Sequence, residues 1–176
     1  MKTHKINTKQ LKNNINELSA GDTVLLSGTV YTARDAAHAK LLELIKKGES
    51  LPFKIKDATI YYAGPTEAPL GRPIGSCGPT TSSRMDVFTP ALLNEGLCCM
   101  IGKGNRSFDV VESMVTNGAV YLCAIGGAGA LAAKSIVECE IVAFPELGCE
   151  SIKRLEFEDF PLIVGIDSRG NSVFVK

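Results

Sequence analysis

Apolar residues recur along this chain with a period that switches between helical and extended. Leu11, Ile15 and Leu18 share one face of a helix over residues 8–18, which ends before Ala20-Gly21-Asp22. Residues 23–31, TVLLSGTVY, are apolar and β-branched and predict a buried strand, with Gly28 marking a bulge or a close approach. Ala37, Leu41, Leu44 and Ile45 then fall at helical spacing over residues 35–47, and Gly48 supplies a stop. A strand over 58–63 is followed by a Gly- and Pro-rich loop over 64–80, long enough to suggest function. Beyond it the pattern predicts a helix from Met85 to about Glu95 that Pro90 kinks or restarts. A strand at 97–101, a helix at 107–117 and a strand at 119–124 come next. Ile125-Gly126-Gly127-Ala128-Gly129 opens a small-residue helix leading to residues 135–144. Two closing strands, 162–167 and 172–175, flank Ser168-Arg169-Gly170-Asn171 as a hairpin. The alternation of strands with helices predicts the α/β class. There is no repeat or linker, and 176 residues suit a single domain over 1–176.

Composition narrows the function classes. Lys plus Arg and Asp plus Glu number 19 each, so no global field favours nucleic acid or an anionic membrane. No stretch approaches the roughly 20 apolar residues that cross a bilayer. The start, MKTHKINTKQLKNNINEL, lacks a signal peptide's apolar core, so a cytoplasmic protein is expected. The six cysteines, at 77, 98, 99, 123, 139 and 149, form no CxxC pair and no Cys/His spacing of the zinc type. They read as reduced thiols, and no metal is expected on this chain.

The chemistry concentrates in turns. Gly78-Pro79-Thr80-Thr81-Ser82-Ser83-Arg84-Met85-Asp86 packs a turn, four hydroxyls and a cation before an apolar helical pattern. Hydroxyls that cap that helix, amides at its N-terminus and the planar fork of Arg84 together read as a small-anion site. Thr32-Ala33-Arg34-Asp35-Ala36-Ala37-His38 sits where the first strand gives way to its helix. Two readings of it stand. In one, Asp35 caps the helix and frees Arg34 for an anion; in the other, Asp35 only caps, Arg34 is solvated and His38 packs. Ile101-Gly102-Lys103-Gly104-Asn105 presents Lys103 between glycines, next to a ligand or in a plain surface turn. Neither GKGN nor IGGAGA matches a P-loop or a GxGxxG fingerprint. Arg34, Arg84 and Lys103, with Thr80 and Thr81 beside them, suit a dicarboxylate, because two carboxylates need two cationic clamps. No Ser-His-Asp order or paired catalytic carboxylate is visible, so the chain looks like part of a site.

At these residues the sequence resembles the β subunit, or C-terminal domain, of class I iron-sulfur hydro-lyases, the group of class I fumarases and tartrate dehydratases. The matching segments are SGTVYTARDAAHAKL, YYAGPTEAPLGRPIGSCGPTTSSRMD, MIGKG, AIGGAGAL and PLIVGIDSRGNS, in order over nearly the whole chain. TARDAAH with GRPIGSCGPTTSSRMD is closer to the fumarase branch. The resemblance implies a swivelling β/β/α domain, with mixed sheets layered with helices. It implies a partner α subunit whose three cysteines hold a [4Fe-4S] cluster, the Lewis acid that helps hydroxide leave. By the same resemblance Thr80 is the base that takes the carbon-3 proton and Arg84, Arg34 and Lys103 are carboxylate clamps, with Thr81 beside them. Asp35 and His38 orient the TARD turn, and the general acid comes from the partner. The expected activity is the interconversion of (S)-malate and fumarate, in the assembled complex alone. The alternatives are L-tartrate or another 2-hydroxy dicarboxylate as substrate, or a non-catalytic anion-binding or assembly module. Cys77 reads either as a redox-sensitive neighbour of GPTT or as a small buried residue.

Overall fold

A computed structural model describes residues 1–174. Five strands run parallel to one another: β1 (Thr3–Asn7), β2 (Thr23–Thr32), β3 (Thr59–Tyr61), β4 (Cys99–Gly102) and β5 (Val120–Cys123). Two more, β6 (Ile136–Ala143) and β7 (Ile152–Ile166), are antiparallel to each other, and β7 is antiparallel to β5 and β2. The sheet order is β1-β2-β3-β4-β5-β7-β6. Because β7 also pairs with β2 from Thr23↔Ile163 to Tyr31↔Arg154, the ladder closes into a ring β2-β3-β4-β5-β7. The fold is thus mixed α/β: one sheet with helices packed on it.

Period-two alternation sorts the strand side chains into two cores. Tyr61, Ala63, Cys99, Ile101, Val120 and Leu122 face one cluster, joined by Leu26, Val30, Leu155 and Phe157. There the Tyr61 ring meets Phe157 and Phe160 edge-on at 5.9 and 5.8 Å, and those two stack at 4.4 Å. Ile60, Tyr62, Met100 and Tyr121 point the other way, under α2 (Asp35–Lys47), α3 (Thr89–Asn94) and α4 (Phe108–Asn117). Ala37 and Leu41 of α2, Leu92 and Leu93 of α3, and Val110 and Met114 of α4 are the matching apolar stripes.

Helix α2 has the predicted bounds, and Gly48 ends it in the left-handed conformation at φ 67°. The predicted helix at Met85–Glu95 is divided. A 3-10 turn occupies Ser82–Met85, and Pro90 restarts the chain in the first turn of α3. No hydroxyl caps that turn, so the expected helix N-terminus for an anion is not formed there. Cys98 lies just before β4 rather than on it. The predicted C-terminal hairpin is reduced to a bridge between Ile166 and Ser172; its last residue, Val175, lies outside the described residues. Conversely, β7 begins ten residues earlier than predicted, and β1 comes from a segment read as polar, in which Ile6 alone is buried.

Gly28 is the bulge that the sequence pointed to. It has φ +103°, and the register between β2 and β7 shifts between Leu26 and Gly28. A Cβ there would lie 2.5 Å from Thr8 Oγ1 and 2.9 Å from Asn7 Oδ1, at the start of α1 (Thr8–Asn14). Gly28→Ala is therefore expected to lower the unfolding free energy by about 1–3 kcal/mol, read as a shift of the urea midpoint at constant slope. An unshifted midpoint would contradict this close approach.

Candidate anion-binding site

Because β2 to β5 are parallel, their carboxyl ends share one edge, where ligand-binding groups collect in α/β folds. Arg34 follows β2, Gly64 follows β3, Lys103 follows β4 and Gly126 follows β5. The GPTT segment is laid across this edge by backbone bonds. Pro79 bridges to Ala63, the Thr80 amide donates to the Tyr62 carbonyl at 2.7 Å, and Thr81 bridges to Lys103. The Ser82 amide then donates to the Lys103 carbonyl at 2.9 Å. Thr80, Thr81 and Lys103 are thus brought together. The Thr80 hydroxyl makes no hydrogen bond to protein among the described residues. Lys103 forms no ion pair there; its side chain runs past Gly126, with Nζ 3.6 Å from where a Cβ would stand.

Ser82 locks this arrangement from below. Its buried hydroxyl accepts from the Lys103 amide at 3.0 Å and meets the Tyr121 hydroxyl at 2.8 Å, which in turn donates to the Gly104 carbonyl at 2.8 Å. Gly102 makes room: a Cβ there would overlap Ser82 Oγ. A second anchor holds the other end of the motif. The fully buried Arg106 donates from Nε to Asp86 Oδ1 at 2.7 Å and from Nη2 to Thr89 Oγ1 at 2.8 Å. Its guanidinium lies 5.3 and 5.1 Å from the Tyr62 and Tyr121 ring centres. The second oxygen of Asp86 accepts from the Ser107 amide at 2.7 Å.

Arg34, Asp35 and Arg84 form the second half of the site. Arg84 Nε donates to Asp35 Oδ1 at 2.9 Å, while its terminal nitrogens have no protein partner among the described residues. Arg34 Nη2 lies 3.7 Å from Asp35 Oδ2 and 3.6 Å from Glu150 Oε1. Arg34 Nε and Asp35 Oδ2 are buried with no hydrogen-bond partner. Asp35 does not cap α2, contrary to both readings of this turn. Glu150, in a 3-10 segment at Pro145–Glu150, accepts from the Ala36 amide at 3.0 Å and takes that role. Gly64 lets the Arg34 side chain through, with Cδ and Nη1 3.0 Å from where a Cβ would sit.

His38 is fully buried. Its Nδ1 donates to the Arg34 carbonyl at 2.9 Å, its ring contacts Tyr62 and Phe88, and Nε2 has no partner. Burial pushes its pKa down to about 4, so at neutral pH it is an uncharged spacer that fixes the TARD turn. Cys77 is fully buried, and burial pushes its thiol up to about 12, in keeping with the small buried residue of the two readings. Among the described residues no group of three His, Cys, Asp or Glu side chains stands where it could hold a metal ion.

The structure brings Arg34, Arg84, Thr80, Thr81 and Lys103, all singled out in the sequence, to one sheet edge, and adds as their supports Glu150, Arg106, Asp86, Ser82 and Tyr121, which sequence reasoning did not name in that role. Asp86 and Ser82 stood inside the motif already singled out. Glu150 is 114 residues from the amide it caps, and no local pattern marks it.

Cations and hydroxyls thus gather at the carboxyl ends of parallel strands of an α/β domain, the edge where such folds collect ligand-binding groups. The chain belongs to the family described as Fumarase C-terminus, whose model matches residues 1–176. It is 45% identical over 168 residues to "Fumarate hydratase class I, anaerobic" of Escherichia coli, covering 94% of this chain and 31% of that protein. It is 41% identical over 169 residues to "Fumarate hydratase 2" of Leishmania major, covering 95% and 30%. To "Putative L(+)-tartrate dehydratase subunit beta" of Methanocaldococcus jannaschii it is 40% identical over 172 residues, covering 94% and 88%. The chain thus spans less than a third of the two fumarate hydratases and most of the β subunit.

The buried His38 sets a pH dependence. Between pH 6.5 and about 4 the unfolded chain carries a proton that the folded one refuses. Stability is therefore full above about 6.5 and falls towards pH 4, by about 3 kcal/mol in all. Urea unfolding against pH is expected to show this decline, and His38→Gln to flatten it; a variant with the wild-type slope would contradict the assignment.

Proposed function

We propose that residues 1–176 act as one unit, the β part of a split hydro-lyase that interconverts (S)-malate and fumarate with a partner α chain. The observation that carries this reading is the convergence of TARD, GPTTSSR and GKG on one sheet edge, with Thr81, next to Thr80, bridged to Lys103 and with Arg84 and Arg34 both at Asp35. The relatives named as fumarate hydratases and as a tartrate dehydratase β subunit support the reaction class and the division into two chains. The proposal includes the swivelling β/β/α fold and a cytoplasmic location, the latter in keeping with six free thiols.

Each residue has a task in this account. The free terminal nitrogens of Arg84 form a fork for one carboxylate. Arg34, its side chain partly exposed, turns its guanidinium edge to the same ligand. Lys103, without a carboxylate partner among the described residues, holds the other carboxylate, and the Thr81 hydroxyl borders it. Thr80 Oγ1 takes the carbon-3 proton of malate and returns it in hydration. An alcohol is a poor base unless cations stabilise its anion, and Lys103 and Arg84 flank the segment that carries it. Asp35 stands between the two arginines and Glu150 beside Arg34, orienting both towards one ligand. The described residues do not form a cradle for a [4Fe-4S] cluster, so the proposal assigns cluster and general acid to the α chain. The near-complete coverage of a protein named as a tartrate dehydratase β subunit keeps L-tartrate as the second substrate to compare.

Thr80→Ala and Arg84→Ala, each assembled with the α chain, are expected to lose 100-fold or more, on the order of 3 kcal/mol of transition-state stabilisation, with assembly intact. Steady-state turnover and gel filtration on the same samples check this. Normal turnover per complex with lost assembly would favour an assembly module.

A further inference from the structure

The 3-10 segment that carries Glu150 is an unusual support for a catalytic cation. Gly148 within it adopts φ 59°, ψ −118°, and its outer side borders a cavity of about 630 Å3 lined by Pro65, Ile74, Cys139, Cys149 and Lys153. Packing therefore does not hold this segment from that side. On the inner side an ammonium ties it, beside the Ser151 hydroxyl, which donates to the Gly148 carbonyl at 2.7 Å, and the Thr32 hydroxyl, which donates to the Ser151 carbonyl at 3.3 Å. Lys153, on β7 and 92% buried by its 8% exposure, donates from Nζ to the Gly148 carbonyl at 3.1 Å, the Cys149 carbonyl at 3.3 Å and Ser151 Oγ at 2.6 Å. Its backbone is fixed in turn, since the Lys153 amide donates at 3.0 Å to Thr32 Oγ1, two residues before Arg34.

No carboxylate stands within ion-pair distance of Lys153 among the described residues, so its charge is buried against neutral acceptors alone. Such burial is costly, and it depresses the lysine's pKa. An apolar side chain of the same length would avoid that cost. An ammonium offers what no such chain can: three donors radiating from one atom, matched here to three acceptors in four consecutive residues. Between those acceptors lies Glu150, which accepts from the Ala36 amide and approaches Arg34.

We infer that Lys153 is a positioning residue for the candidate site: it fastens the 148–151 turn so that Glu150 caps α2 and sets Arg34. The inference rests on the hydro-lyase reading for its catalytic meaning, but the mechanical link can be read separately. Lys153 touches no substrate, and its effect passes through Glu150.

The test uses the full chain assembled with its α partner and the variants Lys153→Met, Glu150→Ala and the two combined. Hydrogen exchange at the Ala36 amide is expected to quicken about tenfold in each single variant and no further in the double, as for two groups acting in series. KM for malate is expected to rise about tenfold in each with kcat held within about twofold, because a carboxylate clamp is weakened uniformly. Wild-type exchange at Ala36 in Lys153→Met, or multiplied effects in the double variant, would overturn the inference. So would quickened exchange with an unchanged KM. If Lys153→Met does not fold, Lys153→Arg replaces it: a planar fork does not reach three acceptors from one point, and an unchanged Ala36 exchange rate in that variant would overturn the link. A wild-type complex that turns over no dicarboxylate would sink the hydro-lyase reading, while the exchange rates still decide the role of Lys153.

Discussion

The site hangs on the Arg106–Asp86 pair. A guanidinium with no exposed surface, held by a carboxylate and a threonine between two tyrosine rings, joins the strand that carries Lys103 to the motif that carries Thr80 and Arg84. Removing one member of such a pair leaves an uncompensated buried charge, a loss of about 3–5 kcal/mol, comparable with much of a small domain's net stability. The Ser82–Tyr121–Gly104 hydroxyl chain fixes the same two segments from the neighbouring strand. Both anchors are aromatic on one side and polar on the other, which lets them sit in the core under the helices while gripping loops at its rim.

That rigidity has an electrostatic purpose. Arg34 and Arg84 share Asp35, and Glu150 stands beside Arg34, so the four charges balance, and the dianion proposed as substrate would meet an oriented rather than a strongly attractive surface. Lys103 adds the unbalanced charge. Orientation without excess attraction suits a site in which binding energy is spent on alignment, and the terminal nitrogens of Arg84 have no protein acceptor among the described residues. In the proposed reading the residues here clamp the substrate and move one proton, and the remaining chemistry is assigned to a partner, in keeping with a chain spanning 31% of one named fumarate hydratase and 88% of a named β subunit.

Local pattern revealed what local forces decide. The bounds of α2, the buried strand with its Gly28 bulge, and the turns carrying Arg34, Arg84 and Lys103 were legible because amphipathic spacing, glycine and strand-end position announce them. The hidden parts are long-range. Strand β1 buries Ile6 alone and exists because β2 offers a free edge. The first half of β7 mixes Lys153, Arg154, Glu156, Glu158 and Asp159 with Leu155 and Phe157 before Pro161, and its pairing with β2 and β6 outweighs those charges. The helix expected at Met85–Glu95 gave way because Ser82 and Asp86 bond to distant partners instead of capping their own turn. Glu150 and Lys153 act through contacts that no spacing rule encodes.

Whether the proposed site is split between two chains is decided by strictly anaerobic purification of the tagged chain from its native host, with malate–fumarate turnover, iron and labile sulfide assayed in one eluate. Turnover is expected together with a second, iron-sulfur-bearing chain, and none from this chain once it is separated. Turnover by the separated, iron-free chain, or a two-chain complex that processes no 2-hydroxy dicarboxylate, would contradict the proposal.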